Sequence, residues 1–225
     1  MGAVFEAALG PAYVGTAATS VKLPNKAEAE VTMSTGLRPK IGKVDLDFGW
    51  TYYFYPSGGT PPPGTLANIN YVEFVARGST DFGESVHFAA GSGYSPSYSN
   101  TGAWSDYSAF GVAVDMPRKL LPPDLTATIS GGAGYFWFGN QSASLGGFPL
   151  PDYLNWNLGL TLVRKDIHLD LRYYNTNLSR EQCFVLTGDL SGGFGGQINP
   201  VSDPLGRVSN WCSATFVAKV WYAFN

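Results

Sequence analysis

Residues Asn155–Asn175 read N-W-N-L-G-L-T-L-V-R-K-D-I-H-L-D-L-R-Y-Y-N. In the first run, Leu154, Trp156, Leu158, Leu160 and Leu162 share one side, and Asn155, Asn157, Gly159 and Thr161 share the other. After the polar joint Val163-Arg164-Lys165-Asp166, Ile167, Leu169, Leu171 and Tyr173 oppose His168, Asp170, Arg172 and Tyr174. A period of two is the signature of extended backbone, and so short a joint predicts an antiparallel hairpin. Each strand therefore has one greasy and one wettable face, and the fold depends on what those faces meet.

The same alternation, bounded by Gly, Pro, Asn and Asp clusters, predicts eleven strands along the chain: 3–9, 11–20, 27–37, 43–55, 68–79, 84–94, 104–116, 124–138, 153–163, 166–175 and 210–224. No segment predicts a convincing helix. In Asn25–Met33, Ala29, Val31 and Met33 alternate with Glu28, Glu30 and Thr32, so that run also reads as strand.

The connections carry a second pattern. Gly10-Pro11, Arg38–Gly42, Thr80–Gly83, Pro117–Pro123 and Arg164-Lys165 are short, whereas Val21–Lys26, Pro56–Ala67, Ser95–Ala103, Gly139–Asp152 and Thr176–Ser209 are long, and the two kinds alternate. Crossovers in a soluble sandwich scatter loop lengths. A transmembrane barrel keeps turns at one rim and loops at the other. The expected fold is therefore all-β, a transmembrane antiparallel up-and-down β-barrel, with residues 1–225 as its single domain.

Composition agrees. Charged residues are 14% of the 225 and aromatic residues 15%, against about 25% charged in ordinary soluble domains. Mean hydropathy is only −0.03, and no run approaches the roughly 20 apolar residues of a spanning helix. A net charge of −3 offers no basic stripe for nucleic acid. The opening M-G-A-V-F-E-A-A-L-G has no basic start and no long apolar core, so it is not a signal peptide. Even strand counts are the rule in bacterial single-chain barrels. Eleven strands then predict that a signal and one further strand precede this sequence, giving twelve; a single bent strand over 3–20 would give ten.

Lipid-facing positions are expected at Val44, Leu46, Phe48, Trp50, Tyr52 and Phe54, at Leu125, Ala127, Ile129, Ala133, Tyr135 and Trp137, and at Ala214, Phe216, Ala218, Val220, Tyr222 and Phe224. Packed as two stacked sheets, the same residues would be a sandwich core. Pore-lining positions are expected at Glu28, Glu30, Asp45, Asp47, Glu73, Arg77, His87, Asp170 and Arg172, because a charge on the lipid face is costly. Six acids against two arginines predict mild cation selectivity. Glu73 with Arg77, and Asp170 with Arg172, are the expected pairs at a constriction, or else structural pairs closing a narrow lumen.

Catalytic and cofactor motifs are not found. Gly192-Gly193-Phe194-Gly195-Gly196 lacks the strand–turn–helix setting of a phosphate loop, and the sequons at Asn140 and Asn177 are common chance matches. His87 and His168 have no metal-ligand spacing, and Ser85 and Ser92 approach His87 only in sequence. The expectation is no enzyme, no metal and no cofactor. Cys183 and Cys212 are either unrelated thiols or a disulfide closing about 30 residues, for roughly 3–4 kcal/mol.

Longer words in the last third, Y-Y-N-T-N-L-S-R-E-Q-C-F-V-L-T-G-D (173–189) and S-N-W-C-S-A-T-F-V-A-K-V (209–220), resemble the TorF-like porin family of proteobacteria. G-K-V-D-L-D-F-G-W-T-Y-Y-F-Y-P (42–56) and Y-V-E-F (71–74) are similar to that family's central strands. The resemblance implies a bacterial outer-membrane barrel, contacts with outer-membrane lipid, and passage of small hydrophilic solutes or ions. It also implies pairing of Cys183 with Cys212, and recognition of the C-terminal strand by the barrel assembly machinery. Val220, Tyr222 and Phe224 keep the alternation of such an assembly signal, while Asn225 departs from its usual aromatic end.

Overall fold

The computed structural model describes residues 2–56 and 66–223. Eleven strands form one antiparallel meander: β1 (Gly2–Leu9), β2 (Ala12–Ser20), β3 (Ala29–Leu37), β4 (Val44–Phe54), β5 (Tyr71–Phe82), β6 (Val86–Ser95), β7 (Ser105–Asp115), β8 (Leu125–Phe138), β9 (Tyr153–Arg164), β10 (Ile167–Thr176) and β11 (Thr215–Tyr222). Each pairs with its neighbours in sequence, and a two-residue ladder, Lys40–Ile41, folds back on the start of β4. The hairpin 155–175 has the expected register, with Leu160 opposite Leu171 and Thr161 opposite Asp170. Tight reversals at one rim depend on backbone that L side chains resist: Gly10 and Gly83 sit at φ 59° and 67°.

Among the described residues β1 and β11 do not pair, so the wall has an open seam. With an odd number of strands these edges run in the same direction. The sheet is nevertheless strongly curled. A Cβ placed on Gly188, beyond β10, would lie 4.0 Å from Pro24, which connects β2 to β3.

Side chains on the polar face establish which side is concave. Tyr107 on β7 reaches over β8 to donate to Asn155 on β9 at 3.0 Å, and Arg172 on β10 reaches over β9 to Ser130 on β8 at 2.8 Å. Tyr13 on β2 crosses β3 to donate to Asp47 on β4 at 2.9 Å. Each crossing passes above a glycine of the skipped strand. A Cβ on Gly134 would overlap the Tyr107 ring, one on Gly159 would lie 2.8 Å from the Arg172 guanidinium carbon, and one on Gly36 would lie 2.8 Å from the Tyr13 ring. Alternating large and small residues is how an inward face fills a tapering space.

The loop-rich rim departs from the expectation of plain loops. The connection 177–214 contains a helix, α1 (Arg180–Thr187), where strand periodicity left only loop. Ser179 and Gln182 form a reciprocal capping box at its start, and Gly188 ends it at φ 59°. Cys183 and Cys212 are joined in a disulfide. Val185 and Leu186 pack on a small core of Ala103, Phe138 and Leu150, so the connections after β6, β8 and β10 share one cap. β11 starts at Thr215, leaving Ala214 in the loop. Most of the expected connection Pro56–Ala67, together with Phe224, lies outside the described residues.

Candidate functional site

The concave face has three zones. Near the turn-rich rim, ions are tied to one another. Arg38 binds Glu6 at 2.9 Å and Asp47 at 3.3 Å, with its guanidinium 3.8 Å above the Tyr13 ring. Lys40 holds Asp45 at 3.1 Å. His87 is flanked by two carboxylates, with Nδ1 2.7 Å from Asp81 and Nε2 3.3 Å from Asp115, and Thr128 donates to Asp115 at 2.6 Å. On β10, Arg172 grips Asp170 at 2.9 Å and donates to Asn157 at 2.7 Å, while Thr161 donates to Asp170 at 2.7 Å.

The loop-rich end is aromatic. Tyr53 stacks on Tyr71 at 4.5 Å and donates to Glu73 at 3.1 Å, and Tyr55 donates to Glu30 at 2.7 Å. Tyr98, from the connection after β6, bridges Tyr71 to Phe138 at ring separations of 5.4 and 5.2 Å. Phe136 stacks with Tyr107 at 4.3 Å and with Tyr153 at 5.2 Å. The cap beyond it is fixed by Asp189, which accepts from Ser191 and Ser209 at 2.6 and 2.7 Å. Burial raises that carboxyl, but hydrogen bonds from both hydroxyls and the Ser191 N–H outweigh it and hold the group below its ordinary range.

Between these zones the wall of β6, β7 and β8 is almost bare. Its inward positions are Ala89, Gly91 and Gly93, then Ala109, Gly111 and Ala113, then Gly132 and Gly134. Two adjoining cavities of about 520 and 290 Å³ lie over this floor. The larger is bordered by Asp81, His87, Asn155, Asn157 and Arg172, the smaller by Glu73 and Arg77. Hydrogen-bonding groups thus stand on both sides of the floor.

By register, Glu30, Asp45, Asp47, Glu73, Arg77, His87, Asp170 and Arg172 all project from this one face. Glu28 is exposed in the connection before β3 and is not part of the wall. The expected Asp170–Arg172 pair forms, but no Glu73–Arg77 pair forms among the described residues. Residues two apart on a strand sit about 7 Å from one another on the same face, and residues four apart about 14 Å. Glu73 takes the Tyr53 hydroxyl instead. Glu6, Asp81, Asp115, Lys219 and Trp221 also face inward, and their strand parity was a usable signal. Arg38, in a turn, had no such signal. Ser92 points to the opposite face and donates to Asp106 at 2.9 Å, so it does not approach His87.

A family profile described as a bacterial protein of unknown function, Gcw_chp, matches residues 4–190. The profile covers the words at 173–189 but not those at 209–220, and the family it shows is Gcw_chp, not the TorF-like porin family those words resembled. Comparison with curated proteins gives no match. Among solved structures, a porin is similar at 12% identity and TM-score 0.40, over 78% of this chain and 56% of its own. A loop-deletion mutant of OmpT, an outer membrane protein of Vibrio cholerae, is similar at 10% identity and TM-score 0.42, over 78% of this chain and 57% of its own. The chain thus spans little more than half the length of either protein.

Proposed function

The chain belongs to the Gcw_chp family of bacterial proteins, whose function is unknown, and we propose that it forms a porin-like wall in the bacterial outer membrane, offering small hydrophilic solutes a passive path. The observation that carries this reading is the inverted polarity of the sheet. Phe48, Trp50, Phe74, Phe110, Leu158 and Phe216 stand on the convex face and are 41–65% exposed. In water so continuous an apolar surface would drive aggregation; against hydrocarbon it is the expected face of a barrel. Pairs such as Tyr135–Trp137 and Trp156–Tyr173, 4.8 and 5.2 Å apart on the convex side, suit a membrane interface. The disulfide suits an oxidising envelope compartment. Eight carboxylates face inward (Glu6, Glu30, Asp45, Asp47, Glu73, Asp81, Asp115, Asp170) against Arg77, Arg172 and Lys219 from the strands and Arg38 and Lys40 at the turn-rich rim, an excess of acid that favours cations over anions.

The shared cap favours a second reading, a barrel closed at its loop-rich rim that binds partners through residues such as Phe194 and Ile198, which are 72% and 69% exposed. Liposome swelling separates the two. Detergent-folded, heat-modifiable protein is expected to make liposomes permeable to arabinose. Folded protein without swelling would favour the closed barrel, and protein soluble without detergent would overturn both.

A further inference from the structure

The smaller cavity holds a feature that a tally of inward charges misses. Every carboxylate on the inward strand positions already accepts a hydrogen bond or ion pair: Glu6 and Asp47 from Arg38, Asp45 from Lys40, Asp81 and Asp115 from His87, Asp170 from Arg172, and Glu30 and Glu73 from tyrosines. Arg172 is equally engaged, and Lys219 lies 5.0 Å over the Trp221 ring. Arg77 differs. Among the described residues it makes no hydrogen bond and no ion pair, yet it borders the cavity and is exposed to it.

Glu73 sits on the same wall, and only one of its oxygens is used. Oε2 accepts from Tyr53 at 3.1 Å, whereas Oε1 lies over Gly93. Both side chains lean across β6 because glycines let them. A Cβ at Gly93 would meet Glu73 Oε1 at 2.8 Å, and one at Gly91 would meet Arg77 Cγ at 2.8 Å. Gly91 and Gly93 are two residues apart, about 7 Å along the strand. The cavity is therefore bordered by Glu73, with one carboxylate oxygen unused, and by Arg77, over a floor with no side chain larger than a methyl group at Ala89, Gly91, Ala109 and Gly111.

We propose that this cavity is a subsite for short zwitterions, molecules the size of an amino acid or dipeptide with an ammonium on Glu73 Oε1 and a carboxylate on Arg77. A lone anion meets the Arg77 fork but also the acid rim of the lumen, and a lone cation meets Arg77 as a like charge. A solute carrying both signs satisfies the two groups together. The inference rests on the channel reading for its use in transport, but the subsite itself is a property of the wall.

The probe is glycylglycine, set against its uncharged analogue N-acetylglycinamide and against acetate, by saturation-transfer NMR on the full chain folded in detergent. Glycylglycine is expected to bind about threefold more tightly than either. Arg77→Gln and Glu73→Gln should each weaken it by about two- to fivefold, while the double exchange Glu73→Arg with Arg77→Glu should keep the preference. Equal binding of the uncharged analogue overturns the proposal without any variant, so a misfolded variant does not protect it. Acetate binding as well as glycylglycine also overturns it, in favour of a carboxylate site on Arg77 alone. Binding that persists in liposomes impermeable to arabinose would defeat the channel reading and leave the subsite standing.

Discussion

The wall and its cap obey opposite rules of burial. The inner layer of the cap hides apolar groups and ties down polar ones: Cys183, Phe184, Leu150 and Val208 are buried, and so are Asp189 and Ser209, which bond to each other, while Phe194 and Ile198 elsewhere in the cap stay exposed. In the wall, the large apolar side chains are the exposed ones and the fixed charges, apart from Asp106 and the strand-end Arg164, lie on the concave side. Both regions come from one chain, so the contrast reflects the surroundings each was selected to meet. Where water is the solvent, greasy surface is removed from it. Where hydrocarbon is the solvent, the backbone must satisfy itself within the sheet and the greasy surface faces out.

The contrast can be broken first at the disulfide. Replacing Cys183 and Cys212 with Ser frees a loop whose ends are 29 residues apart, which costs the cap about 3–4 kcal/mol. Limited proteolysis is expected to cut within 177–214 while the wall keeps its heat-modifiable mobility. Simultaneous loss of both would mean that the regions are not independent. A charge on either side of one strand probes the wall. Leu158→Arg places a cation on the convex face in mid-strand and should cost about 2–4 kcal/mol of stability in lipid, whereas Asn157→Arg should insert normally; urea titrations in liposomes measure both. Equal damage would reverse the assignment of faces. The smallest effect is expected at the helix cap, where Ser179→Ala removes the hydroxyl that accepts from the Gln182 N–H, for about 1 kcal/mol. Hydrogen exchange should rise in 180–187 and nowhere in the strands.

Much of the wall was legible because a strand writes its environment at every second residue. The run 154–174 gives both faces, the turn and the register with no other information. The cap was less legible for two physical reasons. Helix α1 spans only eight residues, too few turns for a helical period to stand out, although Ser179 and Gln182 are spaced as a capping box requires. Its apolar partners, Ala103, Phe138 and Leu150, are distant in sequence. Within the lumen, parity identified the face of Glu73 and Arg77 but not their partners. Partner choice depended on Tyr53 reaching from the adjacent strand, a contact that follows from curvature and not from the alternation of one strand.

The three links that skip a strand, Tyr13 to Asp47, Tyr107 to Asn155 and Arg172 to Ser130, have a mechanical consequence. Backbone ladders fix the spacing between adjacent strands but leave the angle between them free to open, like the leaves of a hinge. A tie between alternate strands sets that angle, and the missing side chain beneath it is the clearance the tie needs. The bore of this wall is thus dimensioned by a few polar struts, and a single added methyl group at Gly134 would prise one of them loose and flatten the arc around it.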